Sequence, residues 1–172
     1  MQKTRSVRVA LLVGALAAVV AAGTVVASDG NRNSGDGDHG DNGNARILDA
    51  TLAGIPASLT GQTFMGAIGG GVAWRIASGE AKLSSGGRLN VEVEGLVLAA
   101  GAKVGTNPIP TGRALVSCSG AVVAMSDSVP FSPTGDAEVD AMVSLPASCL
   151  APVVFFAGDT GAGPRWFAVT GF

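Results

Sequence analysis

RLNVEVEGLVL, residues 88 to 98, decides the fold class. Leu89, Val91 and Val93 alternate with Asn90, Glu92 and Glu94. A period of two puts the apolar side chains on one face of an extended strand and the polar ones on the other. A strand with one dry and one wet face belongs to an antiparallel sheet packed on a core from one side only. Gly95, with no side chain to pack, marks a bulge or bend where the alternation stops.

The sequence on either side has the same texture, with short runs rich in Val, Leu and Ile separated by Gly, Pro and Ser clusters and no sustained 3.6-residue period. Upstream, GVAWRIASGEAKLSSGGRL reads as two short strands, Val72 to Ala77 and Glu80 to Leu83. Turns at Ser78-Gly79 and Ser85 to Gly87 join them into a meander with the Arg88 strand. Further strands are expected at Ile47 to Leu52, Ala114 to Ser119, Ala121 to Met125, Ala137 to Leu145, Val153 to Phe156 and Trp166 to Thr170. Seven to nine short strands in this length predict an all-β domain, a small antiparallel β-sandwich or barrel.

The N-terminal segment has a different composition. Lys3, Arg5 and Arg8 precede an apolar run from Val9 to Ala27, the pattern of a secretory signal peptide. Val25 and Ala27 supply the small side chains that a signal peptidase needs before its cut, which places cleavage between Ala27 and Ser28. The competing reading is an uncleaved anchor, since the run is just long enough to span a bilayer. Residues 28 to 45, SDGNRNSGDGDHGDNGNA, carry no large apolar side chain and read as a flexible tether, unable to repay their ordering entropy. The domain is thus expected over residues 46 to 172.

Charge and composition restrict the function. The tether holds one Arg and four Asp, and residues 46 to 172 hold seven cationic and nine acidic side chains, so the exported part is net acidic. That sign argues against nucleic acid and anionic lipid as partners, which need clustered cations. The Asp and Asn of the tether invite a calcium reading. However, counting from Asp29 the sixth position is Ser34 and the twelfth Gly40, where an EF-hand-like loop requires Gly and Glu. His39, the single histidine, lies in the same polar stretch.

Cys118 and Cys149 are the two cysteines, and in a chain sent out of the reducing cytosol they are expected to form one internal disulfide. A closed loop of that length stabilises a fold by about 3 to 4 kcal/mol on the chain-entropy account. With no histidine in residues 46 to 172, Cys-His and Ser-His-Asp catalysis and His-based zinc sites are unavailable, so no catalytic residue, cofactor site or metal site is assigned. What remains is carboxylate chemistry. Glu92 and Glu94 share one strand face, as do Asp136, Glu138 and Asp140, and such rows are either the wet face of a sheet, a calcium site or a glycosidase pair. Alternation alone favours the first. The glycine clusters Gly66 to Gly71 and Gly158 to Gly163 do not match phosphate-binding spacing and read as loops between strands. Trp74, Phe155, Phe156, Trp166 and Phe167 read as core, with a sugar-binding platform as the alternative.

The stretch from Trp74 through GLVL, with GTNPIP at 105 to 110, VSC at 116 to 118, LPASC at 145 to 149, APVVFF and the terminal WFAVTG, resembles small secreted proteins of actinobacteria. That resemblance implies export and a shared β fold and carries no site. The expected protein is therefore an exported, non-catalytic domain that binds a protein or cell-wall glycan. The alternatives are a structural or adhesive module assisted by calcium, and a carboxylate-based enzyme. Intact-mass measurement of the exported protein is expected to find a chain beginning at Ser28 and lighter by two hydrogens; a retained leader or free thiols would refute this reading.

Overall fold

The computed structural model describes residues 45 to 171. Thirteen strands run through this region: β1 (Arg46–Gly54), β2 (Thr63–Phe64), β3 (Ala67–Ile68), β4 (Trp74–Arg75), β5 (Ser78–Ser84), β6 (Arg88–Glu94), β7 (Val97–Leu98), β8 (Thr111–Cys118), β9 (Ala121–Met125), β10 (Val129–Pro130), β11 (Ala137–Met142), β12 (Val153–Asp159) and β13 (Pro164–Thr170). A single turn of 3-10 helix, Ala57–Leu59, follows β1. The main sheet runs β10-β8-β12-β13-β1-β5-β6-β11, with β9 pairing β8 beside β10. Every one of these junctions is antiparallel. The fold is all-β and antiparallel, as the alternation in residues 88 to 94 implies.

Strand β1 makes the sheet curl. Its first part pairs with β5, from Arg46 opposite Ser84 to Thr51 opposite Glu80, and its end pairs with β13, from Leu52 opposite Thr170 to Gly54 opposite Ala168. One bent strand thus belongs to both halves of the sheet. Paired residues share a face, so the dry side can be followed from strand to strand. It carries Ala81 and Leu83 of β5, Leu89, Val91 and Val93 of β6, Val139 of β11, Leu52 of β1, and Ala168, Phe156 and Ala114 of β13, β12 and β8. All of these are buried. The curled sheet wraps this side around one core.

The two halves differ on the outside. On β5, β6 and β11 the outer face is wet, carrying Glu80, Glu92, Glu94, Glu138 and Asp140. On β12 and β13 both faces are dry, because consecutive residues Val154 to Ala157 and Trp166 to Val169 are all buried. A bulge at Phe156/Ala157 separates two aromatic groups. Phe156 and Phe167 face inward onto Phe131 and Trp74, with the Trp74–Phe167 rings stacked at 4.1 Å and Phe131–Phe156 edge-on at 5.0 Å. Phe155 and Trp166 face outward, 5.5 Å apart, and Phe64 of β2 lies 6.2 and 6.3 Å from them. The segment after β1 is the cover of this second apolar surface. Main-chain bonds Ile55 N to Phe167 O and Gly70 N to Trp166 O fasten it, with Trp166 Nε1 donating to Ala67 O and the buried Ser117 Oγ to Met65 O.

Several expectations need correction. Ser78-Gly79 is not a turn: both lie in β5, opposite Glu94 and Val93, and Gly79 packs closely there, since a Cβ would meet the end of the Ile76 side chain and Leu52 Cβ. The strand expected at Val72 to Ala77 shrinks to Trp74–Arg75 and pairs with β7, so in place of a three-strand meander β5 and β6 form one hairpin flanked by β1 and β11. Residues 88 to 98 split at Gly95, whose φ of 60° ends β6 and lets β7 leave for its own partner. The glycine clusters are partly strand, with Ala67–Ile68 in β3 and Gly158 in β12. Residues 1 to 44, which include the expected leader, the expected Ala27/Ser28 cleavage position and nearly all of the expected tether, lie outside the described residues.

Gly135 shows how tightly the loops seat. Its φ is 92°, its carbonyl accepts from Leu96 N, and a Cβ would collide with the Leu96 main chain. Gly135→Ala is therefore expected to cost about 2 kcal/mol or more, read as a lowered denaturant midpoint at unchanged slope. A neutral result would show that the 132–136 loop does not need this approach.

Candidate functional site

The disulfide joins the end of β8 to the connection between β11 and β12, with Cys118 and Cys149 Cα atoms 5.0 Å apart. Ser119 N donates to Leu150 O alongside it, so the connection is pinned at main chain and side chain together.

The acidic rows come together as the strand register dictates. Glu92 lies opposite Glu80 on one side and Glu138 on the other, and Asn90 lies between Lys82 and Asp140. Three glutamates thus cross three adjacent strands in one row, where like charges directly opposite one another oppose pairing. Lys82 relieves part of this by pairing with Glu80 at 2.9 Å, and that carboxylate raises the lysine pKa. Ser78 Oγ donates to Glu94 at 2.6 Å. Among the described residues no three Asp, Glu, His or Cys side chains are grouped so as to hold a metal ion. The face is a row of solvated carboxylates, and Glu92, Glu94, Asp136 and Glu138 line one open depression of about 600 Å³ on it. Asp136 differs from the others in being held by loop contacts. It accepts from Thr134 Oγ1, Gly95 N and Ser132 Oγ, which holds its pKa below the ordinary aspartate value, with the Thr134 bond the largest cause. Its role is to clamp the 132–136 loop onto the bend at Gly95.

Two further polar clusters are structural in the same sense. Asn107, buried, donates through Nδ2 to the carbonyls of Ile109 and Ser132 and accepts at Oδ1 from Ile109 N, tying the TNPIP loop to the chain after β10. Arg113 donates through Nη2 to Asp159 at 2.6 Å and to Ser128, while Ser128 Oγ also donates to Asp159. The guanidinium bond is the main reason the Asp159 pKa lies low. Arg113 Nε is buried without a partner.

The expected aromatics are all interior: Trp74, Phe155, Phe156, Trp166 and Phe167 are each at most 5% exposed. They form no platform for a sugar ring. The exposed apolar side chains lie elsewhere, and sequence reasoning missed them. Val122, Val123 and Met125 stand out from β9, Met142 ends β11 at 69% exposure, and Leu150 is 68% exposed beside the disulfide, while Ile68, Val72 and Val104 are exposed singly in other parts of the chain. Met125 and Met142 both border a groove of about 410 Å³ between β9–β10 and β11, which Ser126, Asp127, Val129 and Asp140 also line. No signal in the sequence places these two edges together, because they are the opposite ends of the sheet path. No family model, no curated protein and no solved structure matches this chain.

Both depressed aspartates couple folding to pH. A folded-state pKa below the unfolded value near 3.9 gives stability that is present above that value and is lost as pH falls through the folded pKa. Acid unfolding of the protein is therefore expected to show a destabilising limb below about pH 4 that Asp136→Asn and Asp159→Asn each flatten. Equal acid limbs in wild type and both variants would remove these two groups as its source.

Proposed function

We propose that this chain is an exported, non-catalytic extracellular or cell-envelope domain that binds a protein partner. The observation that carries this reading is the placement of exposed apolar side chains on the free strands at the two ends of the sheet, β9 and β11, while every large aromatic of the sheet is interior. Unpaired strands with apolar side chains are surfaces that another chain can complete. The apolar leader and the Cys118–Cys149 bond support export to an oxidising compartment. A glycan partner loses its main support with the aromatics in the core. The absence of a histidine from residues 46 to 172 supports a non-catalytic role.

A second reading, an adhesive module assisted by calcium, rests on the Glu80–Glu92–Glu138 row. The two separate in one experiment. The immobilised chain is expected to bind solubilised cell-envelope protein saturably, with the signal abolished by protease digestion of that fraction and absent with purified cell-wall glycan. Binding that survives digestion would reassign the partner to a glycan. No binding, together with a melting temperature raised by calcium, would establish the adhesive reading instead.

A further inference from the structure

Resting on the reading of the chain as a protein binder, we propose that the open seam between β9–β10 and β11 is its docking site. The occupant is an extended peptide segment in which cationic side chains alternate with aliphatic ones, and it adds as a strand to the free edge of β11.

The main chain shows which groups are free. Val143 N donates to Gly87 O, and the register continues through Ala141 opposite Leu89 and Val139 opposite Val91. In an antiparallel ladder the hydrogen-bonded pairs alternate with pairs whose N–H and C=O groups point away. Val139, Ala141 and Val143 therefore bond to β6, whereas Glu138, Asp140 and Met142 direct their main-chain groups to the open side. Among the described residues no strand pairs with β11 there, and no hydrogen bond reaches those groups. The neighbouring edge does not fill the gap. Seven antiparallel junctions separate β10 from β11, so the two run in opposite senses and come close, yet they form no ladder. Pro130 has no N–H to give, and Ser126 turns its hydroxyl into the sheet to accept from Ala114 N, which interrupts the strand between β9 and β10.

The side chains select the occupant. Residues 121 to 130 and 137 to 142 contain no Lys or Arg, whereas Asp127 and Asp140 line the groove and Glu138 stands beside it on β11, none with an ion-pair partner among the described residues. Arg88, opposite Met142 on β6 and on the same face as Asp140, and Arg113, committed to Asp159, are the cations of the adjoining strands β6 and β8. Val139 and Ala141, on the face of β11 opposite to Glu138 and Asp140, line the groove together with Met125, while Met142 borders it on the acidic face. An incoming strand thus finds main-chain partners along one edge, apolar contact from Val139, Ala141 and Met125 on one face, and the carboxylates of Glu138 and Asp140 on the other. A second copy of the chain fits poorly, because pairing two β11 edges would set Glu138 and Asp140 against their own like.

The test is an amide-resolved NMR titration of the protein with the capped peptide Val-Lys-Val-Lys-Val-Lys-Val. Controls are the same peptide with Glu for Lys and one with Pro for the central Lys, which cannot join a ladder. Shifts are expected at residues 126 to 129 and 138 to 142, with the Glu138, Asp140 and Met142 amides gaining protection from exchange. Both control peptides and the Glu138→Lys/Asp140→Lys double variant are expected to bind about tenfold or more weakly, with Glu80→Lys unchanged. Shifts centred on Glu80 and Glu92, or equal binding of the proline peptide, would reduce the effect to charge attraction and overturn the proposal. So would edge protection that appears without peptide as the protein self-associates. If the double variant still captures envelope protein, the seam assignment falls and the binding reading stands; if neither envelope protein nor peptide binds, both fall.

Discussion

Trp166 and Phe167 are adjacent in sequence, leave opposite faces of one strand, and are both enclosed. An apolar sheet face must be covered by another layer, and a strand that is apolar on both faces needs two. The inner layer is the curled sheet itself, through Trp74, Phe131 and Phe156. The outer layer must come from chain that the sheet does not use, and residues 55 to 70 are recruited for it. Phe64 lies over Phe155 and Trp166, and four hydrogen bonds hold the segment to β8 and β13. Gly69 and Gly70 let it approach, since a Cβ on either would meet Ile55 or the Phe167 ring.

The opposite half of the sheet carries no such cover. Its outer face was built polar, and its charges stay in water, where a like-charge row such as Glu80–Glu92–Glu138 is tolerable because solvent screens it. The well-connected polar groups lie at the loops: Asp136 on the Gly95 bend, Asn107 under the TNPIP loop, Arg113 with Asp159 at the end of β12. Each is explained by the chain segments it joins.

The seam follows from the same constraint that builds the core. Closing a sheet requires its last edge to present an unbroken row of donors and acceptors. The edge formed by β9 and β10 is broken at Ser126 and ends at a proline, so the curl brings β11 near without sealing it. The acidic side chains on β11 are a device that keeps an unsealed edge from pairing indiscriminately. They also bias what could pair with it.

The period-two alternation of residues 88 to 94 determined the antiparallel sheet, and the cysteine pair in a chain with an export-type leader determined the disulfide, since both depend on local chemistry. Strand positions at 47 to 52, 121 to 125 and 166 to 170 were legible for the same reason, and so was the interior role of the aromatics. The two-residue strands at Thr63–Phe64, Ala67–Ile68 and Val129–Pro130 were not, because so short a segment has no period of its own. Ser78-Gly79 misled for the related reason that a turn-prone pair is overridden when its neighbours supply a ladder. The seam lay beyond sequence altogether: β9 and β11 meet only because seven intervening junctions, each adding its own twist, bring the ends of the sheet around to one another.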